Sequence, residues 1–171
     1  MIKEARAFAT KAHEGQIRKY TGEPYITHPV AVALLVHKVT SDSDMIAAAL
    51  LHDVVEDTDI SLDDIGKEFG GKIAYLVEGL TDVSIFSDGN RKVRKEIDRM
   101  HISQFSDKVK TIKLADLIDN SKSICKYDPK FAAVYMLEKK ALLKVLKTGD
   151  AHLFQIADNI VQEYFLQKQD Y

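Results

Sequence analysis

The sequence contains few of the features that mark secreted or membrane proteins. Cys125 is the only cysteine among 171 residues; this excludes an internal disulfide and any metal site with several thiolates, and it is typical of a reducing compartment. No apolar run approaches the roughly 18 residues that span a bilayer. The first six residues, Met1 to Arg6, include charges where a signal peptide needs an apolar run. We therefore expect a cytoplasmic protein with no membrane partner.

The chain also lacks a strong excess of charge of either sign. Its 24 Lys and Arg residues against 26 Asp and Glu residues give a formal net charge of −2. Since such a chain produces no global field that attracts nucleic acid or a membrane surface, neither is expected as a partner. An anionic substrate must instead be captured by a local cluster of donors.

Strand-like alternation, internal repeats and low-complexity tracts are missing too, whereas helical periodicity runs through most of the chain. Periodicity and capping residues predict helices over 2–13, 29–39, 45–58, 61–70, 73–81, 90–103, 107–125, 128–147 and 150–167. The sequence therefore predicts an all-α fold, and its length favours a single domain over residues 1–171. The last two helices, over about 128–168, carry no recognisable chemistry and are interpreted as scaffold, with an oligomer surface as the alternative.

The stretch over residues 45–58 is the one around which the rest of the chain is organised. Its first seven residues are apolar, and His52, Asp53, Glu56 and Asp57 follow on the same predicted helix. Because side chains four positions apart share a helix face, a continuous helix would align these four in one polar stripe. An imidazole beside three carboxylates is what a divalent cation and an activated water require. The alternative is a solvated acidic helix end with an unrelated histidine.

A second polar group interrupts the apolar helix predicted over residues 107–125. Lys113, Asp116 and Asn120 lie three and four positions apart and therefore share one face. Burying Asp116 without a partner would cost several kcal/mol, so a cation or strong donors should lie beside it. A metal ion and an ion pair with Lys113 both meet this requirement.

The loop over residues 16–27 brings further polar groups. Arg18 and Lys19 lie at its start and His28 at its end, and Pro29 is typical of the first position of a helix. We therefore expect His28 just before that helix, where it is well held. The alternative is an ordinary polar cap.

The segment over residues 90–103 is the most basic in the chain. A helix of this kind is usually a solvated face. The alternative is that Arg94 or Lys95 reaches an anionic ligand.

Four of these side chains would together form a site with two nitrogen and two carboxylate ligands: His28, His52, Asp53 and Asp116. Mixed ligands without a thiolate admit Mn²⁺, Fe²⁺ or Zn²⁺. Glu56 and Asp57 lie one turn further on, ionised at neutral pH unless desolvated, and either could orient or deprotonate a water activated by the metal. Arg18, Lys19 and Asn120 supply donors for a polyanionic substrate. This combination would hydrolyse phosphate esters or anhydrides.

Four blocks in this order also carry a resemblance to a known family: Arg18-Lys19, Gly22-Glu23-Pro24-Tyr25-Ile26-Thr27-His28-Pro29, Ala49-Leu50-Leu51-His52-Asp53-Val54-Val55-Glu56-Asp57-Thr58, and Lys113-Leu114-Ala115-Asp116 with Asn120. They resemble the hydrolase domain of the Rel/Spo family, within the HD phosphohydrolase superfamily. The resemblance spans about residues 1–125. With no synthetase or regulatory domain present, the chain is similar to the small, stand-alone alarmone hydrolases.

The resemblance implies an HD-type helical bundle with a metal site between helices. It further implies a Mn²⁺-dependent pyrophosphohydrolase that removes the 3′-diphosphate from the nucleotide (p)ppGpp, giving GDP or GTP and pyrophosphate. The implied roles are His28, His52, Asp53 and Asp116 as metal ligands, Glu56 and Asp57 as the catalytic acidic pair, and Arg18, Lys19, Asn120 and Ser123 at the nucleotide.

Two features depart from the family pattern. Many members have Asp-Arg-Leu-His-Asn where this chain has Asp116-Leu117-Ile118-Asp119-Asn120, so a basic residue and a histidine near the nucleotide are lost. Tyr20-Thr21 lengthens the spacing after the Arg-Lys pair by one residue. Both leave open whether the base is guanine or adenine and which phosphate group is removed. The alternatives are hydrolysis of another phosphorylated nucleotide, and a non-catalytic, metal-stabilised binding protein.

Overall fold

The computed structural model describes residues 1–169, which form ten α-helices and one 3₁₀ turn. Their bounds are α1 Ile2–Ala12, α2 Thr27–His37, α3 Ser43–Leu51, α4 Val54–Asp57, α5 Leu62–Phe69, α6 Gly71–Leu80, the 3₁₀ turn Phe86–Asp88, α7 Arg91–Ser103, α8 Asp107–Tyr127, α9 Pro129–Leu143 and α10 Ala151–Gln169. Across this range the only strand-type pairing is an isolated bridge between Ile17 and Pro24. The predicted all-α class is confirmed.

Polar side chains cap several of the predicted helix starts. Oδ1 of Asp42 accepts hydrogen bonds from the backbone N–H groups of Asp44 and Met45, at 2.9 and 3.3 Å, where α3 begins. Ser61 and Asp64 bond each other reciprocally at the start of α5, as their spacing predicts. These caps satisfy N–H groups that have no partner inside the helix, and so short polar residues fix the boundaries.

Helices α3 and α8 form the centre of the molecule. Every residue from Met45 to Leu51 is buried, and α3 packs against α1, α2, α6 and α8. Helix α8 also packs against α2, α6, α9 and α10. The small side chains of residues 47–49 allow close approach of the neighbouring helices. As a result, the end of α3, the start of α2 and the middle of α8 meet in the interior.

No helix within residues 1–169 is both long and apolar enough to cross a membrane.

The continuous helix predicted over residues 45–58 is wrong. Helix α3 ends at Leu51, and the one-turn helix α4 begins at Val54. The cause lies in His52, whose Nδ1 contacts the backbone carbonyl oxygen of Ala49 at 2.9 Å. This carbonyl is the one that a continuing helix would use for Asp53, so the imidazole competes with the backbone. The break places His52 and Asp53 in a turn rather than on a straight polar stripe.

Two other boundaries differ from the prediction. Helix α2 begins at Thr27, so His28 lies inside its first turn rather than before it. The helix predicted to reach residue 147 ends at Leu143 and is followed by turns in which each backbone N–H bonds the carbonyl three residues earlier. These turns bring Gly149 against α8, where an added Cβ would lie 3.1 Å from backbone atoms of Lys110 and Thr111. Close approach to α8 therefore explains both the early end of α9 and the glycine.

Candidate metal centre

Four predicted ligands converge where α2, α3 and α8 meet. Nε2 of His28 lies 3.2 Å from Oδ1 of Asp116 and 3.5 Å from Oδ2 of Asp53. Nε2 of His52 lies 3.1 Å from Oδ1 of Asp53 and 3.8 Å from Oδ1 of Asp116. One ligand atom from each of His28, His52 and Asp53 lies within 4.8 Å of the other two. Segments distant in sequence thus present two nitrogens and two carboxylates to a common point.

The two imidazoles are oriented by their other ring nitrogens. Nδ1 of His28 lies 2.7 Å from Oδ2 of Asp119, and Nδ1 of His52 contacts the Ala49 carbonyl. Both histidines are buried, and within the described residues neither Nε2 makes a hydrogen bond of acceptable geometry. A ring whose Nδ1 is held by an oxygen and whose Nε2 faces carboxylates has the orientation of a metal ligand. The donor set therefore fits a divalent ion.

Each carboxylate of the centre is also held by a neighbour. The Tyr25 hydroxyl donates to Oδ2 of Asp53 at 2.6 Å. Nδ2 of Asn120 donates to Oδ1 of Asp116 at 2.6 Å, and Nζ of Lys113 lies 3.0 Å from Oδ2. The ion pair that the spacing of Lys113 and Asp116 allowed is thus present. It uses the oxygen turned away from the imidazoles, so it does not compete with a metal for Oδ1.

The electrostatics keep these groups charged despite their burial. Burial alone would lower the pKa of His28, but the facing carboxylates of Asp116 and Asp119 outweigh it and raise the pKa to about 9, so a cation at Nε2 takes the place of a proton. Burial opposes ionisation of Asp116, yet Lys113 and the imidazoles hold its pKa well below the ordinary range. Asp53 is likewise held ionised by His52 against the effect of burial, with a lowered pKa. The centre therefore retains the anionic oxygens that a cation requires.

Glu56 and Asp57 lie on α4, directly after the metal-centre turn. Oε2 of Glu56 accepts a hydrogen bond from the backbone N–H of Asp82 at 3.3 Å. Burial, which removes water from the carboxyl, and the nearby charge of Asp82 raise the pKa of Glu56 to about 7. Desolvation and the charge of Asp53 also raise the pKa of Asp57. The exception attached to the prediction, ionisation at neutral pH unless desolvated, therefore applies to Glu56, because this carboxyl is desolvated.

The residues predicted at the nucleotide separate into two groups. Nη1 of Arg18 donates to Oδ1 of Asn120 at 3.2 Å, which brings both to the edge of the metal centre. Ser123 lies one turn further along α8, and its hydroxyl donates to the Asn120 carbonyl at 3.2 Å. Lys19 instead points away: its exposed Nζ lies 3.8 Å from Oδ2 of Asp128.

Two residues near the centre were missed as site residues. Asp119 was noted only as a departure from the family pattern, yet it holds His28. Its position three residues after Asp116 on the same helix was the available signal. Tyr25, in the Gly-Glu-Pro-Tyr block, holds Asp53. Nothing local in the sequence indicated that contact, because the two residues are 28 positions apart.

Comparison with known proteins places this geometry in a family. A family model described as "HD domain" matches residues 5–140. The chain belongs to the HD domain family. Its HD domain is 44% identical over 132 residues to a Synechocystis protein named probable guanosine-3′,5′-bis(diphosphate) 3′-pyrophosphohydrolase, over 75% of this chain and 17% of that protein. It is 40% identical over 126 residues to the Escherichia coli K12 bifunctional (p)ppGpp synthase/hydrolase SpoT, over 72% of this chain and 18% of that protein. These matches confirm the resemblance to Rel/Spo hydrolase domains.

Solved structures confirm the HD-type fold. One, described as a metazoan ortholog of SpoT that hydrolyses ppGpp, superimposes with a TM-score of 0.84 at 30% identity, and the match covers 95% of this chain and 94% of that one.

A relative from Streptomyces coelicolor, 36% identical over 124 residues, is named GTP pyrophosphokinase; 72% of this chain and 14% of that protein align. The chain spans less than a fifth of the length of the curated relatives described here.

Proposed function

We propose that this HD domain is a metal-dependent phosphohydrolase that removes the 3′-diphosphate of (p)ppGpp, giving GDP or GTP and pyrophosphate. The observation that carries the proposal is the convergence of two imidazole Nε2 atoms and two carboxylates, with a second acidic pair on the following turn. The match to a ppGpp hydrolase over nearly its whole length supports it. The curated relatives are much longer and carry different names, so the assignment depends on the site.

In this proposal His28, His52, Asp53 and Asp116 hold one divalent ion. Mn²⁺ is the proposed ion, with Fe²⁺ and Zn²⁺ as alternatives, because the donors are mixed nitrogen and oxygen without a thiolate. When bound, the ion makes water a stronger acid and polarises the phosphoryl group. Asp119, Tyr25 and Lys113 orient His28, Asp53 and Asp116 from outside. The Ala49 carbonyl orients His52.

Glu56 and Asp57 are the proposed acid–base pair. Hydrolysis places the hydroxyl of water on the phosphorus atom attached to the ribose 3′-oxygen, breaks that P–O bond, and leaves a proton for the departing 3′-oxygen. A carboxyl with a pKa of about 7 can both accept the proton of water and return it, so Glu56 suits this transfer. Asp57, the next residue along α4, is the second carboxyl of the pair, and burial and the charge of Asp53 raise its pKa as well.

Arg18 and Asn120 are proposed to contact the nucleoside side of the substrate, with Ser123 beyond them. Arg18 already lies against α8 through Asn120, so its guanidinium is preorganised. Lys19 reaches this region only if it leaves Asp128, and we assign it a long-range electrostatic role.

The second candidate is hydrolysis of a different phosphorylated nucleotide. The observation that favours it is Asp119, which lies beside Arg18 at 3.5 Å where many family members have histidine. A carboxylate at this edge changes which base and phosphate groups the site accepts.

Incubation of the purified protein and Mn²⁺ with ppGpp and a panel of nucleotides tests the proposal. Release of pyrophosphate from ppGpp is expected. No release from ppGpp, with turnover of another compound, would favour the second candidate. The double variant Glu56→Gln, Asp57→Asn should keep bound metal and a melting temperature no lower than that of the parent while losing turnover, whereas the exposed control Glu68→Gln on α5 should remain active. Turnover by the double variant at the parent rate would refute the mechanism.

We further propose that residues 1–171 act as one domain in the cytoplasm. The packing of α10 on α8 and α9 supports this, because the C-terminal helices cover the helix that carries Asp116. The homo-oligomer surface on these helices stays a prediction, as does the absence of nucleic-acid and membrane partners.

A further inference from the structure

Two adjoining cavities lie beside Glu56, and Arg18 lines neither of them. The smaller, of about 420 Å³, is lined by Glu56, Ser84 and Arg94 among others. The larger, of about 740 Å³, lies between α7 and α9 and includes Lys113 and Lys139 in its lining. Four residues line both cavities: Thr81, Asp82, Arg91 and Lys95. The two cavities therefore adjoin across these residues, and the smaller one reaches Glu56 of the proposed acid–base pair; together we call them the recess.

Most charges in this wall are already paired. Arg91 binds Glu138 through two nitrogens, at 2.6 and 3.0 Å. Lys95 contacts Asp82 and lies 3.3 Å from Oδ2 of Asp98. The carboxylates of the recess other than Glu56 therefore have cationic partners, since Glu96 is likewise paired with Arg99.

Arg94 and Lys139 differ from these paired groups. Neither forms a salt bridge with any carboxylate in residues 1–169, and Nε of Arg94 is buried without a hydrogen-bond partner. Burial and the neighbouring charge of Lys113 lower the pKa of Lys139 to about 8. Two cationic side chains with no anion beside them, one with a desolvated donor, make the recess complementary to a compact polyanion.

Helix α8 sets the position of this recess relative to Arg18 and Asn120, the residues proposed to contact the nucleoside. Asn120 and Lys113 both contact Asp116, from the turns after and before it. Seven residues of α-helix span about 10 Å, so the two flank the metal centre on opposite sides. Asn120 leads to Arg18, whereas Lys113 lines the larger cavity. A substrate whose nucleoside lies at Arg18 would place the phosphorus that water attacks over the metal centre and extend the second phosphate of the same diphosphate into the recess.

We propose that the recess is the subsite for the diphosphate that the reaction removes, with Arg94 and Lys139 as its free cations. This inference rests on the proposed function and deepens it by assigning a site for the diphosphate that becomes the product pyrophosphate. The inference also assigns a role to the basic helix α7. Lys95 is paired with carboxylates of the wall, and Arg94 is the residue proposed to contact the anion.

A nucleoside with diphosphates at both its 3′ and 5′ positions has two groups that could fill the recess, and two substrates distinguish them. One is ppGpp, and the other is guanosine 3′-diphosphate, which lacks the 5′ phosphates. Lys139→Met and Arg94→Gln should each lower kcat/KM about tenfold or more on both substrates, since each removes a charge-assisted contact. A loss confined to ppGpp would mean that the cations hold the retained 5′-diphosphate, and unchanged values on both would mean that they hold neither; either result overturns the proposal.

Matched controls distinguish the effect of removing a positive charge inside the recess from the effect of removing one elsewhere on the protein. Lys140→Met, on the exposed face of the same helix, and Arg6→Gln, exposed on α1, should stay within twofold of the parent on both substrates. Lys139→Arg keeps the charge and should restore most of the activity that Lys139→Met loses. Unfolding midpoints establish that each variant folds.

Calorimetry with inorganic pyrophosphate separates this inference from the proposed function. With free Mn²⁺ matched in cell and syringe, Lys139→Met should bind pyrophosphate about tenfold more weakly than the parent, and Lys140→Met should not. If the parent releases no pyrophosphate from ppGpp, the proposed function fails, while this difference would still establish a diphosphate site. Equal pyrophosphate affinity in the parent and Lys139→Met would refute the subsite whatever the turnover.

Discussion

The carboxylate of Asp119 holds Nδ1 of His28 at 2.7 Å, and the same Oδ2 lies 3.5 Å from Nη2 of Arg18. Arg18 also bonds Asn120, which bonds Asp116, so the contacts close a ring around one side of the metal centre. One residue thereby connects the proposed nucleotide contacts to a proposed metal ligand. This is also the position at which the chain departs from the Asp-Arg-Leu-His-Asn pattern.

Asp119→Ala is expected to weaken Mn²⁺ binding by about tenfold or more, because a histidine ligand without its outer partner loses orientation and basicity. Asp119→Asn keeps an acceptor for Nδ1 and should lose less. Binding can be measured by equilibrium dialysis in the absence of nucleotide. Asp107→Ala, exposed on the same helix, is the control. Parent-like Mn²⁺ affinity in Asp119→Ala would show that Asp119 does not position His28.

Mn²⁺ itself should stabilise the folded protein. A ligand that binds only the folded state at 100 times its Kd raises the free energy of unfolding by about 2.7 kcal/mol, or about 5–10 °C in melting temperature for a chain of this size. Chelation should reverse the shift, and Mg²⁺ should give a smaller one, because it prefers an all-oxygen octahedron. Asp116→Asn should abolish most of the Mn²⁺ shift. Equal shifts in the parent and Asp116→Asn would argue against this metal centre.

The parts of the site that sequence predicted are those set by local spacing. Asp116 stood out because a carboxylate in an apolar helix needs a partner, and the structure supplies Lys113 three residues earlier. Capping residues near the predicted starts of the helices over 45–58 and 61–70 are present in the structure as Asp42 and Ser61, because capping chemistry operates within four residues. Such signals lie within a few residues of one another in sequence, and so they can be recognised without knowledge of the tertiary structure.

The parts that sequence did not predict depend on contacts between distant segments. The break at His52 arises because its imidazole takes a carbonyl while facing α2 and α8, which helical periodicity cannot show. The raised pKa of Glu56 depends on Asp82, 26 residues away. Arg94 could be recognised as unpaired only once the partners of its neighbours were known. Charge pairing, unlike capping, is a property of the assembled fold.

Gly149 offers a test of how closely the segment after α9 packs against α8. A Cβ at this position would lie 2.9 Å from Cδ1 of Leu114 and 3.1 Å from α8 backbone atoms, which cannot move cheaply. Gly149→Ala should therefore lower the free energy of unfolding by about 1–3 kcal/mol. Gly71→Ala, with nothing within 4 Å, should be neutral or slightly stabilising. Urea unfolding measures both, and equal stabilities of the two variants would contradict the close approach.

The raised pKa of Glu56 predicts a pH dependence of stability with a definite sign. Between the ordinary value of 4.5 and the folded value of about 7, the folded protein holds a proton that the unfolded chain has released. The free energy of unfolding must therefore fall as pH rises through this window, and the Glu56 contribution is constant above it. Urea unfolding of chelator-treated protein from pH 4 to 8.5 measures the slope.

Glu56→Gln isolates this contribution, because glutamine does not titrate but keeps a similar shape. The difference in free energy of unfolding between the variant and the parent should grow in favour of the variant from about pH 4.5 to 7 and then level. Asp82→Asn should shrink the difference, since the charge of Asp82 is the second cause of the shift. A difference that stays flat over this range would mean that Glu56 titrates normally, and its assignment as the group that exchanges the proton of water would lose its physical basis.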